Sequence, residues 1–208
     1  MKVYEFKGFP NPARVRIALA EKGLFDQVDF VQVDLPGGEH KQPGFLAINP
    51  SGAVPVLELA DGTRISECTA ITEYLDHIDD APSLTGSTAK ERAQVHMVQR
   101  KIEAGFTDAL ATYFHQATDG LGPEIEGPQN KAWGERQKAV AEKSLQWMEE
   151  QLNGQDYLAG NRFTIADITA MAGFSFADII GLDLPESCPR LAAWRARVSA
   201  RPSAALAA

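Results

Sequence analysis

The sequence predicts an α/β unit with a mixed sheet, in the order βαβ then ββα, followed by an all-helical unit. Three observations carry this. Strand-like and helix-like runs alternate in short units up to residue 79. The run DDAPSLTGST at Asp79–Thr88 then gathers Asp, Pro, Gly, Ser and Thr, the composition of a linker. Beyond it, apolar residues recur at helical spacing. The expected division is 1–79, a linker at 80–88, and 89–208.

Lys2 to Phe6 reads as a strand, Ala13 to Lys22 as a helix stopped by Gly23, and Val28 to Val33 as a second strand rich in β-branched residues. Phe45 to Ile48 is a short helical turn. Val56-Leu57-Glu58 and Arg64-Ile65-Ser66 flank Asp61-Gly62, a dipeptide suited to a tight antiparallel hairpin. Ile71, Tyr74, Leu75 and Ile78 then fall on one helix face. In the second unit Val95, Val98, Ile102, Phe106, Ala109 and Tyr113 trace one stripe. Ala141, Leu145, Met148 and Leu152 trace another, ended by Asn153-Gly154, and Pro123 and Pro128 break the interval between them. Thr164, with Asp167 three residues on, resembles a capping box that starts a helix buried along Ile165, Ile168, Ala172, Phe176 and Ile179. The Ala-rich end after Arg201 reads as a frayed tail.

Composition narrows the function classes. The chain has 208 residues, 44% hydrophobic and 23% charged, which excludes a disordered linker protein. Its 20 Lys+Arg against 28 Asp+Glu give a net charge of -8, opposing non-specific attraction to nucleic acid or anionic lipid. The apolar run Ile168 to Ala177 falls short of the roughly 20 residues that span a bilayer. Cys68 and Cys188 form no Cys-x-x-Cys pair, and His40, His77, His96 and His115 have no zinc-ligand spacing with them. A cytoplasmic protein without a metal, a nucleic-acid partner or a membrane partner is expected.

Four stretches, FPNPARVRIALAEKG, EHKQPGFLAINPSGAVPVL, ISECTAITEYL and NRFTIADITA, occur in this order within that frame. Together they resemble the cytosolic glutathione transferase family over essentially the whole chain, with some likeness to bacterial, nu and theta-like members. The resemblance implies a thioredoxin-like N-terminal domain that binds glutathione as co-substrate, an all-α domain that shapes the second-substrate site, and a homodimer. The implied reaction is attack of the glutathione thiolate on an apolar electrophile.

Each motif also has a reading of its own. Val54-Pro55 precedes a strand, where an X-Pro bond adopts cis at a cost of only about 0.5–1 kcal/mol or enters an edge strand as ordinary trans. The resemblance implies cis, with the Val54 backbone turned toward the cysteinyl part of glutathione. Glu67 and Cys68 open a helix whose free amides suit a carboxylate. Glu67 alone complements the dipole, whereas the resemblance has it accept from the γ-glutamyl ammonium. Cys68 stands where relatives usually carry serine. His40 and Lys41 are a solvated surface pair or, by resemblance, hold the glycine carboxylate, all the more since Ala53 replaces a basic residue frequent in relatives.

The activating group departs from the family pattern. The usual serine position falls on Phe9, which has nothing to donate. Asn11, with two side-chain donors, is the catalytic candidate, although Asn11-Pro12 also suits an N-cap followed by a first helical proline. Relatives with Asn in this turn resemble the nu class, which makes glutathione-dependent disulfide reduction or peroxidase chemistry the alternative reaction. A non-catalytic glutathione-binding module is the third reading. Tyr4 reads as packed, and Arg14 and Arg16 face different ways, so at most one points to the ligand. Phe106, Leu110 and Tyr113 are expected to line the second-substrate pocket, although such residues are more often plain core.

Overall fold

The structure is a computed structural model that describes residues 1–206. Strand β1 (Lys2–Glu5) leads into helix α1 (Pro10–Glu21) and strand β2 (Asp29–Gln32). A short helix α2 (Pro43–Leu46) follows, then strands β3 (Val56–Glu58) and β4 (Arg64–Ser66), and helix α3 (Cys68–His77). Among the described residues the strands form one sheet in the order β2-β1-β3-β4. β1 pairs β2 in parallel, as a crossover through α1 requires, whereas β3 pairs both β1 and β4 antiparallel. The hairpin joins the two expected strands, with Val56 opposite Ser66 and Glu58 opposite Arg64.

The helix stop at Gly23 is a Schellman motif. Gly23 has φ 66°, its N–H donates to Ala20 O, and the Leu24 N–H donates to Leu19 O at 2.8 Å. The segment between α3 and the next helix is tied down despite its linker composition. Asp76, fully buried, accepts from the N–H groups of Ser83, Leu84 and Thr85 and from the Thr85 hydroxyl at 2.7 Å.

The helical half comprises α4 (Ala89–Ile102), α5 (Asp108–Ala117), α6 (Pro123–Glu126), α7 (Lys131–Gln151), α8 (Ile165–Ile179) and α9 (Pro189–Ser199). A π-helical turn, Glu103–Thr107, joins α4 to α5. α8 runs through the middle, buried on nearly every side, and packs against both α1 and α4. Its Thr164–Asp167 capping box is complete. The Asp167 carboxylate also accepts from Leu158 N at 3.0 Å and Trp194 Nε1 at 2.8 Å. Apolar residues of both halves, from Val3 and Ile17 to Ile168 and Trp194, share one continuous core.

Two expectations are corrected and one helix was missed. Ile179 is 63% exposed, because α8 ends there and its last turn runs past the core. The chain after Arg201 is not frayed through Leu206: Pro202–Leu206 form a 3-10 turn on α1, held by Arg201 on Glu21 at 2.6 Å and by Arg16 Nε on Leu206 O at 2.8 Å. The last two residues of that tail lie outside the described residues. Helix α9 was not singled out in the sequence, although Leu191, Trp194 and Val198 carry its helical spacing and Pro189 marks its start.

Candidate functional site

A cavity of about 210 Å³ lies where the start of α1 and the loop before β3 meet the helical half. Phe9, Asn11, His40, Gly52 and Val54 line it from one side, and Ala111, His115, Leu121 and Phe176 from the other. A larger groove of about 290 Å³, lined by Ile17, Phe174, Trp194 and Arg195, carries none of the motif residues.

Helix α1 begins three residues earlier than its apolar pattern predicts. Phe9, extended at φ -91° and ψ 153°, is the N-cap and Pro10 takes the first helical position, so the N-cap reading of Asn11-Pro12 is corrected. Asn11 sits inside the first turn, its side chain exposed at the cavity. Pro10 and Pro12 have no N–H and Ala13 N donates to Phe9 O at 3.0 Å, so Asn11 carries the one N–H this turn leaves for a ligand. Phe9 contributes only its ring, packed on Phe6, Phe114 and Phe176 at centroid distances of 5.0, 6.0 and 5.8 Å.

The Val54–Pro55 bond is cis. Its approach is shaped by buried Asn49, a residue the sequence did not point to, which donates to Ala53 O at 2.7 Å and accepts from the Ser51 N–H and hydroxyl. His40 is 8% exposed, and its Nδ1 is buried without a hydrogen-bond partner. Burial, then the neighbouring Lys41 charge, hold its imidazole below the ordinary value. Lys41 does not enter the cavity. Its Nζ donates to the carbonyl of Ile125 instead.

Glu67 is the N-cap of α3 at φ 69° and ψ 120°, a left-handed conformation unusual outside glycine, and its side chain makes no capping bond. It borders a neighbouring polar cleft of about 430 Å³ with Thr69, His96, Gln99, Arg100, Glu103 and Asp108. The Cys68 thiol, between cleft residues Glu67 and Thr69, donates to the carbonyl of the cavity residue Asn11 at 3.4 Å. Burial pushes that thiol up to about 11, so it stays protonated and is no nucleophile at neutral pH. Neither arginine of α1 lines the cavity. Arg14 pairs with Glu103 at 2.8 Å and Arg16 with buried Glu5 at 2.6 Å. Burial raises the Glu103 carboxyl, but Arg14 and Arg100 outweigh it and hold the group below its usual range.

The second-substrate expectation is corrected. Phe106 and Leu110 are fully buried core, and Tyr113 lies under the Lys138 ammonium, 5.3 Å from its ring centre. The π turn holds one more residue than an α turn, which displaces every later position by about 100°. Ala111 and His115, four apart on α5, face the cavity in their place. His115 Nδ1 lies 2.8 and 3.0 Å from the Glu126 oxygens. A lone histidine after an aromatic stripe carries no signal of this role.

A mixed four-stranded sheet with a cis-proline beside a ligand-sized cavity, closed by a helical half, is the architecture of thioredoxin-like transferases. Models of the glutathione S-transferase N-terminal and C-terminal domains match residues 10–78 and 104–202. Glutathione S-transferase 2 of Saccharomyces cerevisiae is 51% identical over 203 residues, covering 98% of this chain and 87% of the relative. Human glutathione S-transferase theta-2 is 34% identical, covering 91% and 77%. Among solved structures, yeast Gtt2 superposes with a TM-score of 0.98 at 50% identity, covering all of both chains. A glutathione S-transferase domain-containing protein of Marinobacter aquaeolei gives 0.95 at 55%, covering 98% and 99%. The chain belongs to the glutathione S-transferase family.

Proposed function

We propose that this protein binds glutathione across the cavity and the adjoining cleft, lowers the pKa of its thiol, and adds the sulfur to an apolar electrophile. The observation that carries this reading is the division of one cavity into a polar wall of Asn11, His40 and the Val54 backbone and an apolar wall of Phe9, Leu121 and Phe176. Glu67 accepts from the γ-glutamyl ammonium, and the Cys68 backbone N–H at the head of α3 receives its carboxylate. The Val54 backbone pairs with the cysteinyl part. The orphaned Nδ1 of His40 serves the glycine carboxylate. In this reading residues 80–88 join a glutathione-binding domain at 1–79 to a second-substrate domain at 89–208.

With Phe9 in the hydroxyl position, the sulfur finds its donors at Asn11, from the side-chain amide and from the single N–H of the turn. Two prolines leave too few amides for the helix end to hold a thiolate unaided. His115, oriented by Glu126, is a second polar group at the cavity and suits a proton acceptor. Disulfide reduction is the alternative; the inert Cys68 requires it to run on two glutathiones rather than on a protein thiol. A homodimer in a reducing cytoplasm fits the exposed Met97 on α4 and the two unpaired cysteines, and a sedimentation mass of one chain would exclude the dimer.

The test is Asn11→Ala with Asn11→Asp. The alanine variant is expected to raise the pKa of bound glutathione and lower kcat with KM for glutathione nearly unchanged. Aspartate in a first helical turn keeps the helix stable but offers a like charge to the thiolate, so turnover falls while the melting temperature holds. Full activity of the aspartate variant would overturn this role for Asn11. Glutathione binding with conjugation, peroxidase and disulfide assays all silent would leave a binding module.

A further inference from the structure

Residues 118–129 leave α5, reach across to the sheet-bearing half and return to α7. Leu121 of this strap packs on the small core of Val33, Leu35, Phe45 and Val56 in the other half while lining the cavity. Ile125 is the second point of contact. Its carbonyl accepts from Lys41, and its Cδ1 stands 3.2 Å from where a side chain on Gly38 would begin. The strap is braced partly on itself and partly on α5, to which His115 belongs. Glu126 folds back to accept from Leu121 N at 2.6 Å and to meet His115 Nδ1 at 2.8 Å. Gln129 Nε2 donates to the carbonyls of His115 and Thr118, both at 2.7 Å. Left-handed glycines flank this braced tip, Gly120 at φ 54° and Gly122 at 99° on one side and Gly127 at 65° on the other.

A strap anchored on α5 and held to the opposite half by one exposed lysine and two apolar contacts, with left-handed glycines on both sides of Leu121, can part from that half at this contact. We propose that this strap is a gate over the acceptor side of the cavity, latched by Lys41 on the Ile125 carbonyl, and that its opening sets the rate at which S-substituted product leaves. The proposal rests on the reading that this cavity holds glutathione. Its selectivity follows from Leu121: a substituent on the sulfur lies along the wall that Leu121 closes, whereas glutathione without one does not reach it. Opening the gate therefore changes product release far more than glutathione affinity.

The experiment follows release of S-hexylglutathione from the full-length protein by stopped-flow competition with excess glutathione, in wild type, Lys41→Met and Ile125→Ala. Both variants are expected to release it about three- to ten-fold faster and to lose part of the viscosity dependence of kcat. Their glutathione Kd should stay within about two-fold of wild type. Unchanged release in both variants overturns the gate. So does Lys41→Met weakening glutathione and S-hexylglutathione equally while Ile125→Ala is silent, since Lys41 is then a ligand of the tripeptide. Wild-type protein that binds neither compound overturns the glutathione reading and the gate with it, an outcome distinct from both others.

Discussion

On the sheet side, the cavity is walled by backbone and by side chains within a few residues of a turn. Phe9 and Asn11 stand at the start of α1, Gly52 and Val54 before β3, and Glu67 at the head of α3 in the adjoining cleft. On the helical side, Ala111 and His115 come from α5, Leu121 from the strap and Phe176 from α8, and no short motif contains more than two of them. The sheet side supplies the polar groups Asn11 and His40 beside the apolar ring of Phe9. The helical wall is largely apolar and is assembled by packing around α8. One side of the cavity is thus set by local turns and the other by contacts between residues far apart in the chain.

The largest effect should come from breaking the scaffold of the helical wall. Asp167→Ala leaves Leu158 N, Thr164 N, the Thr164 hydroxyl and Trp194 Nε1 without their acceptor at the start of α8. A loss of about 3–5 kcal/mol in urea denaturation is expected. A loss below about 1 kcal/mol would mean that packing alone positions α8, and that the two walls differ less than their hydrogen bonds suggest.

Glu67→Ala probes the sheet wall. Its side chain makes no capping bond, so the melting temperature should hold. Glutathione affinity by calorimetry should fall about 10- to 100-fold, the worth of one charged acceptor. Unchanged affinity would confine glutathione recognition to the cavity around Asn11 and His40.

Leu121→Ala sharpens the contrast from the other side. Removing this half-buried side chain should raise KM for an aromatic halide several-fold while glutathione Kd stays within about two-fold, because it lines the cavity from the acceptor side. Equal changes for both substrates would merge the walls into one site.

The smallest effect is expected for His40. Its folded pKa lies below the unfolded value near 6.5, so the unfolded chain takes up the proton first. Stability is therefore complete above about pH 6.5 and declines as pH falls through it, by less than about 1 kcal/mol at pH 5.5. Glu21 is raised by burial but held below its usual range by Arg201 and Ser203, and Glu103 likewise by its arginines. Their contributions fade only below about pH 4.5, which leaves the higher window to histidine. His40→Asn should flatten the pH 5.5–6.5 limb of thermal unfolding; an unaltered slope would place the titrating group elsewhere.

The sheet wall was legible because turn chemistry is written locally. Asp61-Gly62 and the Glu67-Cys68 helix start each mark an element boundary within a handful of residues, the strand pairing follows from alternation, and the cis form of Val54-Pro55 came from the family resemblance. The capping box at Thr164 and the C-terminal stops of α1 and α7 were readable for the same reason. Lys41 was not, because whether a long side chain meets a ligand or the Ile125 carbonyl depends on a segment more than eighty positions away.

By itself, then, the sequence determined the order of elements through α3, the capping of α8 and the family to which the chain belongs, since each rests on spacing and residue type over short stretches. Only the tertiary structure decided which helix face meets the cavity. Phe106 keeps the buried face it shares with Ile102, whereas one extra residue in the π turn at Glu103–Thr107 rotates the positions after it and brings Ala111 and His115 to the site. Apolar periodicity measures burial, and it reads the same whether a buried face lines a ligand cavity or a packed interior. The distinction arises only when α5, α8 and the strap are set against α1, because a cavity is the space that packing leaves between elements.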